Sequence, residues 1–448
     1  MQGGGDLSAA LRALYQGMDA PGTKVGQKHP ISVTREKLVG EEDGKQERRA
    51  SSNGSLFSDE AFPSVDRSRV QDECDESTIM NASNSGAKIR VGIVGLGNWA
   101  RYGHIPALRL LPEYEIVAVS SRREETASAI AREFFIPHAF DDASKLVSHP
   151  DVDLVAVLPP APQHAAIVRQ AIAAGKDVYC EWPLTTNTED SQELLLLAEK
   201  AQTRHVVGLQ RRLGPSARYL RDLLAEGYVG RMRSVRLHVS MEYFGPTRGP
   251  ALAWTLGDVN FSHVLSIYGG HFLDMLFHAV GRPKAMNAIV ATQFPELTLT
   301  ATGESFPNDT PDGVVAIGNL ENDALFSIQL EGGKRNNAGL QIDITGTEGD
   351  LKVWNSKSFA NKNDNILEGA RGDKGSLEPL PVPRSYVKIP FSHLDVSVQD
   401  LAHLYAAHAL DRFTGTQEAP NFADAVRMHK LIDRLNLAST TGALQKDR

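Results

Sequence analysis

Hydrophobic positions along this chain fall into two successive textures. From residue 88, short aliphatic runs (KIRVGIVGLG, EIVAVSS, VDLVAVLPP, KDVYCE, RHVVGLQ) alternate with amphipathic stretches such as EETASAIAREFF and HAAIVRQAIAAG. The runs read as buried strands and the stretches as helices, the second closed by Gly175 in the manner of helix C-termini. Strand and helix alternating at this spacing predict βαβ units and a parallel sheet. After Gly214 the runs lengthen and alternate apolar with polar residues (MRSVRLHVSMEY, KAMNAIVATQ, GVVAIGNL, ALFSIQLEGG, LQIDITGTEGDLKVW). Two helical patterns follow, SVQDLAHLYAAHALDRF and FADAVRMHKLIDRLNLA.

Upstream of this, residues 20–86 are rich in Ser, Gly, Asp, Glu and Asn and poor in aliphatics, so they bury too little to offset the entropy of ordering. Residues 1–86 are expected to form a disordered arm. Within it, LSAALRALYQGM has helical spacing at Leu7, Leu11, Leu14 and Tyr15. That segment reads either as a docking helix or as a transient helix without a partner.

Composition narrows the function classes. The 448 residues, 41% of them hydrophobic, suffice for two or three domains. A formal net charge of −8 and the lack of a basic stripe or recognition helix argue against direct nucleic-acid binding. Cys74 and Cys180 are too far apart in sequence to suggest a disulfide framework or metal-ligand spacing, which fits a reducing compartment. No apolar run approaches the ~20 residues of a membrane span, and the first residues lack a signal-peptide pattern. The expectation is a soluble protein of the cytoplasm, with the nucleus also open.

The sharpest motif is Gly95-Leu96-Gly97-Asn98-Trp99-Ala100, a G-x-G-x-x-G/A match that follows a strand pattern and opens a helix pattern. Gly95 permits the tight turn, Gly97 lets backbone approach a pyrophosphate, and the helix N-terminus meets its charge. The second strand ends in Ser120-Ser121-Arg122-Arg123, with no acid before Glu124. An acid near this point serves the ribose hydroxyls of NAD, whereas a small polar residue with arginine suits the 2′-phosphate, so NADP(H) is expected ahead of NAD. The alternative is that the arginines simply start a solvated helix.

The glycine turn, HIPAL, LPPAPQH, AGKDV, the acid-x-Pro of CEWPL, GPSARYLRDLLAEGYVGRMRSV, GGHFLD and TGTEGDLKV together resemble the Gfo/Idh/MocA family (glucose-fructose oxidoreductase and inositol dehydrogenase) over about residues 88–440. The resemblance implies an α/β fold: a Rossmann dinucleotide-binding domain over 87–213, then an α/β substrate and dimerisation domain with an open, mainly antiparallel sheet over 214–448. It implies a homodimer and a sugar-like substrate; a metal site from His271, Asp274 and His278 is geometrically open, but no second cluster completes it, so no metal is expected. The cofactor set expected on this basis is Gly95, Gly97, Asn98, Trp99, Ser121, Arg122, Arg123, Pro159, His164, Glu181, Trp182, Pro183 and Gln210, with His271 and Asp274 as catalytic pair.

Two departures from the family pattern stand out. Family enzymes carry lysine between the acid and the proline, where this chain has Trp182, and aspartate four residues before the catalytic histidine, where it has Ile267. With CEWPLTT, LQRR and EGGKRNN, these resemble the branch that contains the yeast galactose-pathway co-repressors, which implies a second reading: a dinucleotide-dependent regulator acting through a protein partner.

The residues themselves leave choices open. On a helix begun near Tyr268, His271, Asp274 and His278 share one face, so Asp274 could orient the His271 imidazole for proton exchange, or the pair could merely tie helix to sheet. Trp182 is either a core aromatic or a platform against nicotinamide or sugar, and Glu181 is either functional or a strand-end cap. Gln163 and His164 sit where open α/β sheets hold ligands, or on a solvated loop. Tyr243 and Trp254 could rim a sugar site or pack a surface loop.

Overall fold

The computed structural model describes residues 87–447, apart from 337, 360, 361 and 374. The arm over 1–86, with its helical segment and Cys74, lies outside the described residues.

The first half is built on a parallel sheet. Its strands are β1 (Ile89–Val94), β2 (Tyr114–Ser120), β3 (His138–Phe140), β4 (Leu154–Val157), β5 (Asp177–Cys180) and β6 (His205–Val207). They lie in the order β3-β2-β1-β4-β5-β6, with every pairing parallel. The order reverses beside β1, which opens a crevice at the strands' C-terminal ends. Helices α1 (Ile105–Leu110), α2 (Glu124–Glu133), α3 (Ala143–Val147), α4 (His164–Ala173) and α5 (Thr188–Ala201) make the crossovers. β1 and β4 read as nearly unbroken apolar runs because helices cover both their faces.

A 3₁₀ turn, Gln210–Leu213, and α6 (Pro215–Ala225) lead to the second half. Its main strands are β7 (Met232–Ser240), β9 (Pro283–Ala291), β12 (Gly313–Leu320), β13 (Leu325–Glu331), β14 (Gly339–Gly346), β15 (Gly349–Asn355) and β16 (Ile366–Arg371). With the short β17 (Glu378–Pro379) and β18 (Gln445–Lys446) they form a nine-stranded sheet, antiparallel except at β7/β13. A three-stranded sheet joins β8 (Thr247–Arg248), β10 (Glu296–Leu299) and β11 (Ser305–Pro307). The inner face of the large sheet carries Val314, Ala316, Phe326, Ile328 and Leu330 against α7 (Gly270–Val280), while Ile289, Val315, Ile317 and Leu325 remain exposed on the outer face.

The last two helices divide their packing. α8 (Val396–Thr414) returns to the parallel sheet, where Val398, Leu401, Leu404 and Tyr405 share a core with Ile89, Val91 and Leu108. α9 (Phe422–Thr441) lies along α5 and β9. No described helix is long and apolar enough to cross a membrane.

Candidate functional site: a glycine turn facing a histidine helix

β1 ends in Gly95, whose φ of +93° is open to glycine at little cost, and its N–H donates to Ser120 O at 3.0 Å. A side chain at Gly95 would lie 2.8 Å from Pro159 N, whereas one at Gly97 would meet nothing within 4 Å. The turn is therefore closed beneath and open above, as close approach of a pyrophosphate requires. The helix that follows widens into a π turn, Ala100–His104, before α1. Such turns re-aim side chains, and here His104 is turned inward and fully buried.

Beyond β2, the Ser121 N–H donates to Phe140 O at 3.1 Å, which fixes this edge of the crevice. Arg122 is exposed beside it, Ser121 and Arg123 are half-buried, and α2 opens with Glu124 and Glu125.

Glu181 sits at the end of β5 with its Oε1 at the centre of a network. Oε1 accepts from Trp99 Nε1 at 3.1 Å and Tyr179 Oη at 2.8 Å, and lies 2.7 Å from His104 Nε2. His104 Nδ1 in turn lies 2.8 Å from Tyr405 Oη on α8. Burial alone pushes the Glu181 carboxyl up, but the hydrogen bonds and charge of His104 and the bond from Tyr179 hold it below the usual carboxylate range. None of these bonds uses Oε2.

Trp182 and His164 are the first corrections to the expected cofactor set. The Trp182 ring is 4% exposed, donates Nε1–H to Ser266 O at 2.7 Å, and packs on His429 at 4.9 Å between centroids. Its Nε1 lies so close to Gly270 that a methyl there would collide. This ring is a packing aromatic that locks the first half to the second. His164 is 1% exposed, with one ring nitrogen 2.8 Å from Pro183 O and the other 2.5 Å from Pro159 O. It positions two loops and offers no free edge to a ligand. Pro183 is buried behind a cis Trp182–Pro183 peptide, and Gln163 is half-buried.

The facing wall comes from α7 and the 3₁₀ turn. Asp274 does not orient His271, a third correction. It forms a bidentate pair with Arg212 (2.7 Å from Nε to Oδ2, 2.5 Å from Nη2 to Oδ1), and Arg212 also reaches Asp424 at 3.1 Å. Burial works against the Arg212 charge, but the two carboxylates raise its pKa. His271 is buried, its Nδ1 without a hydrogen-bond partner. Burial lowers its pKa to about 4, with Glu181 favouring the charged form and Arg211 opposing it. His271 is therefore a neutral imidazole at pH 7.

Arg211 stacks on Phe272 and Phe359, at 4.7 and 4.6 Å to the ring centroids, and burial lowers its pKa. Phe359 also meets His271 edge-on at 5.3 Å. Gln210 is buried with Oε1 unpartnered. His278 points to the surface, and it joins no metal-capable cluster with His271 and Asp274 among the described residues. Tyr243 is exposed and Trp254 half-buried on the loop after β7. His104, Tyr179 and Tyr405 were missed at the sequence level. His104 stood inside the quoted HIPAL run, but the third member of its network lies 301 residues away, beyond any local signal.

A glycine turn at the switch point of a parallel sheet, faced by a histidine-bearing helix from an open-sheet domain, defines an NAD(P)-binding protein of the oxidoreductase type. Residues 89–209 match the oxidoreductase family with an NAD-binding Rossmann fold, Gfo/Idh/MocA, and residues 215–355 match the Gal80p C-terminal domain. The chain belongs to the Gfo/Idh/MocA family. It is 31% identical over 281 residues to Dehydrogenase aclE of Aspergillus oryzae, covering 59% of this chain and 76% of that one. It is also 27% identical over 424 residues to the galactose/lactose metabolism regulatory protein GAL80 of Saccharomyces cerevisiae (82% and 95% covered). A crystal structure of a super-repressor mutant of that Gal80p shares the fold with a TM-score of 0.72 at 23% identity (80% and 98% covered). Levoglucosan dehydrogenase in complex with NADH and levoglucosan gives 0.70 at 20% identity (81% and 100% covered).

Proposed function

We propose that this protein binds NADP(H) and transfers hydride at a sugar-like hydroxyl or carbonyl, with His271 exchanging the hydroxyl proton. The observation that carries the reading is the buried, neutral His271, whose Nδ1 has no partner while the acidic residue three positions on is committed to Arg212. A neutral imidazole with a free nitrogen accepts a proton, and the nearby Glu181 carboxylate favours the imidazolium that results. The turn at Gly95, Gly97, Asn98 and Trp99 would hold the pyrophosphate, and Ser121, Arg122 and Arg123 the 2′-phosphate. The nicotinamide, when bound, supplies the hydride chemistry. Support for hydride transfer comes also from two relatives named as dehydrogenases, Dehydrogenase aclE and levoglucosan dehydrogenase.

A second reading, a catalytically silent regulator that responds to the dinucleotide and acts on a protein partner, is favoured by Trp182. Its ring fills the core where family enzymes present a lysine, and its N–H is spent on Ser266 O. The relative covering 82% of this chain is named as a regulatory protein.

One experiment separates the two. Purified protein with NADP⁺ is scanned over aldoses, polyols and inositols for reduced-nicotinamide absorbance, beside calorimetric titration of NADP(H) and NAD(H). Turnover that falls ~10²–10⁴-fold in His271→Ala, with dinucleotide affinity retained, supports the enzyme. Tight binding without turnover across the panel supports the regulator, and a preference for NAD(H) removes the NADP assignment.

The outer face of the large sheet, where Val315 pairs with Ile289 and Ile317 lies exposed, is the proposed homodimer surface. Light scattering should report twice the chain mass, and a monomer at micromolar concentration rules this out.

A further inference from the structure

At the N-terminal ends of β3 and β4, the opposite end of the parallel sheet from the glycine turn, two histidines and an aspartate converge. His138 opens β3, and His149 and Asp151 lie between α3 and β4. Each of the three offers one ligand atom, and these atoms lie within 4.8 Å of one another. Asp151 Oδ2 is 3.8 Å from His138 Nε2 and 3.9 Å from His149 Nδ1. The two imidazole centroids are 4.3 Å apart.

We propose that His138, His149 and Asp151 form a binding site for a divalent transition metal of the zinc class. Tetrahedral zinc, with bonds of about 2.0–2.2 Å, places its ligands roughly 3.4 Å apart, so the two separations to Asp151 close on a metal through shifts of about half an ångström and the remaining one, within 4.8 Å, through about 1.4 Å at most. The surroundings orient the donors. Arg90 takes the other oxygen of Asp151, Oδ1, at 3.0 Å and is itself held by Asp153, which leaves Oδ2 directed at both rings. Phe140 packs on His138 at 6.2 Å and on His149 at 5.5 Å, limiting ring rotation. The bond made by His149 Nδ1 is a long one, 3.3 Å from the Asp151 amide, which a metal would replace. The side chains of His138 and Asp151 are 38% and 51% exposed, so a metal reaches them from solvent, and a water would complete the shell.

Such a site clamps the edge strand β3 to the loop before β4. Because Phe140 O accepts the Ser121 N–H, it also steadies the edge of the dinucleotide crevice. The site stands independently of the proposed hydride transfer.

The test uses the full chain, stripped with chelator and titrated with Zn²⁺ by calorimetry, with Co²⁺ absorbance as a second probe. The expected result is one saturable equivalent in the micromolar range, Co²⁺ d–d bands of four-coordinate intensity, and a melting midpoint raised by ~2 °C or more under saturating Zn²⁺. In His138→Ala/His149→Ala the equivalent and the bands disappear, while far-ultraviolet circular dichroism and a cooperative thermal transition show that the variant is folded. Asp151→Asn, which retains the hydrogen-bonding shape, weakens binding tenfold or more. No saturable binding, or an equivalent that persists in the double variant, overturns the proposal.

Discussion

Two groups of buried polar residues at the candidate crevice are handled in opposite ways. On the glycine-turn side Glu181 Oε1 has three partners, and across the crevice Arg212 holds Asp274 and Asp424, so each buried charge there is answered. Around His271 and Arg211, by contrast, polar atoms are left over: His271 Nδ1, Gln210 Oε1, Arg211 Nε and Asp400 Oδ1 are buried with no hydrogen-bond partner. An unsatisfied buried polar atom costs about 1–3 kcal/mol, so a cluster of them marks where stability has been given up. The answered charges tie elements together within each half, and the unanswered ones lie around His271 and Arg211.

The largest effect expected from this contrast is on acid stability. His263, His271, His408 and His429 are each pushed down to about 4 by burial, and His403 to about 3. Their folded pKa values lie below the unfolded 6.5, so the folded chain binds fewer protons. The stability they contribute is complete above pH 6.5 and lost as pH falls towards 4. Each ring costs up to about 1.4 kcal/mol per pH unit in this window, and Asp274 and Asp400, raised to about 6 and about 8, gain stability as pH falls and offset part of the loss. Denaturant midpoints should collapse between pH 6 and about 4.5. A flat profile across that range would mean that these rings are solvated.

Next in size is the answered side. Arg212→Met leaves Asp274 buried without its paired cation, while Asp424 keeps Arg427, and should cost about 3–5 kcal/mol in chemical unfolding at pH 7. A loss below about 1 kcal/mol would show that the carboxylates find water and that the pairing is superficial.

Much of this contrast was invisible in the sequence. The β1 run into Gly95-x-Gly97, the crossover helices and the alternating strands after Gly214 were legible, because burial on two faces or one writes a plain pattern. β3 was missed, since none of its three residues is buried and HAF writes no aliphatic run, unlike the equally short β6. At the site, periodicity placed His271 and Asp274 on one face of α7 but could not see Arg212, which takes Asp274 from a turn 62 residues earlier. The choice between core aromatic and ligand platform at Trp182 depended on Gly270 and Ser266, more than 80 positions away, so no local reading could make it.

The smallest effect is the most discriminating, because Arg211 and Arg212 are adjacent in sequence. Arg211 has Asp400 as its nearest acid, at 3.7 Å, donates Nη2–H to Ser358 O at 2.6 Å, and rests on the faces of Phe272 and Phe359. Burial raises the Asp400 carboxyl to about 8, with Arg211 opposing it, so Asp400 is mostly protonated at pH 7 and removing Arg211 strands no full charge. Methionine keeps much of the apolar contact with the two rings. Arg211→Met should therefore change stability at pH 7 by less than about 1 kcal/mol, against the severalfold larger loss in Arg212→Met. Above pH 8 the sign works further against the variant: a raised carboxyl pKa means stability lost as pH rises towards 8, and without Arg211 that loss deepens. Equal destabilisation by the two substitutions at pH 7 would show that Arg211 is as firmly paired as its neighbour, and the division of the buried polar groups into answered and unanswered sets would fail.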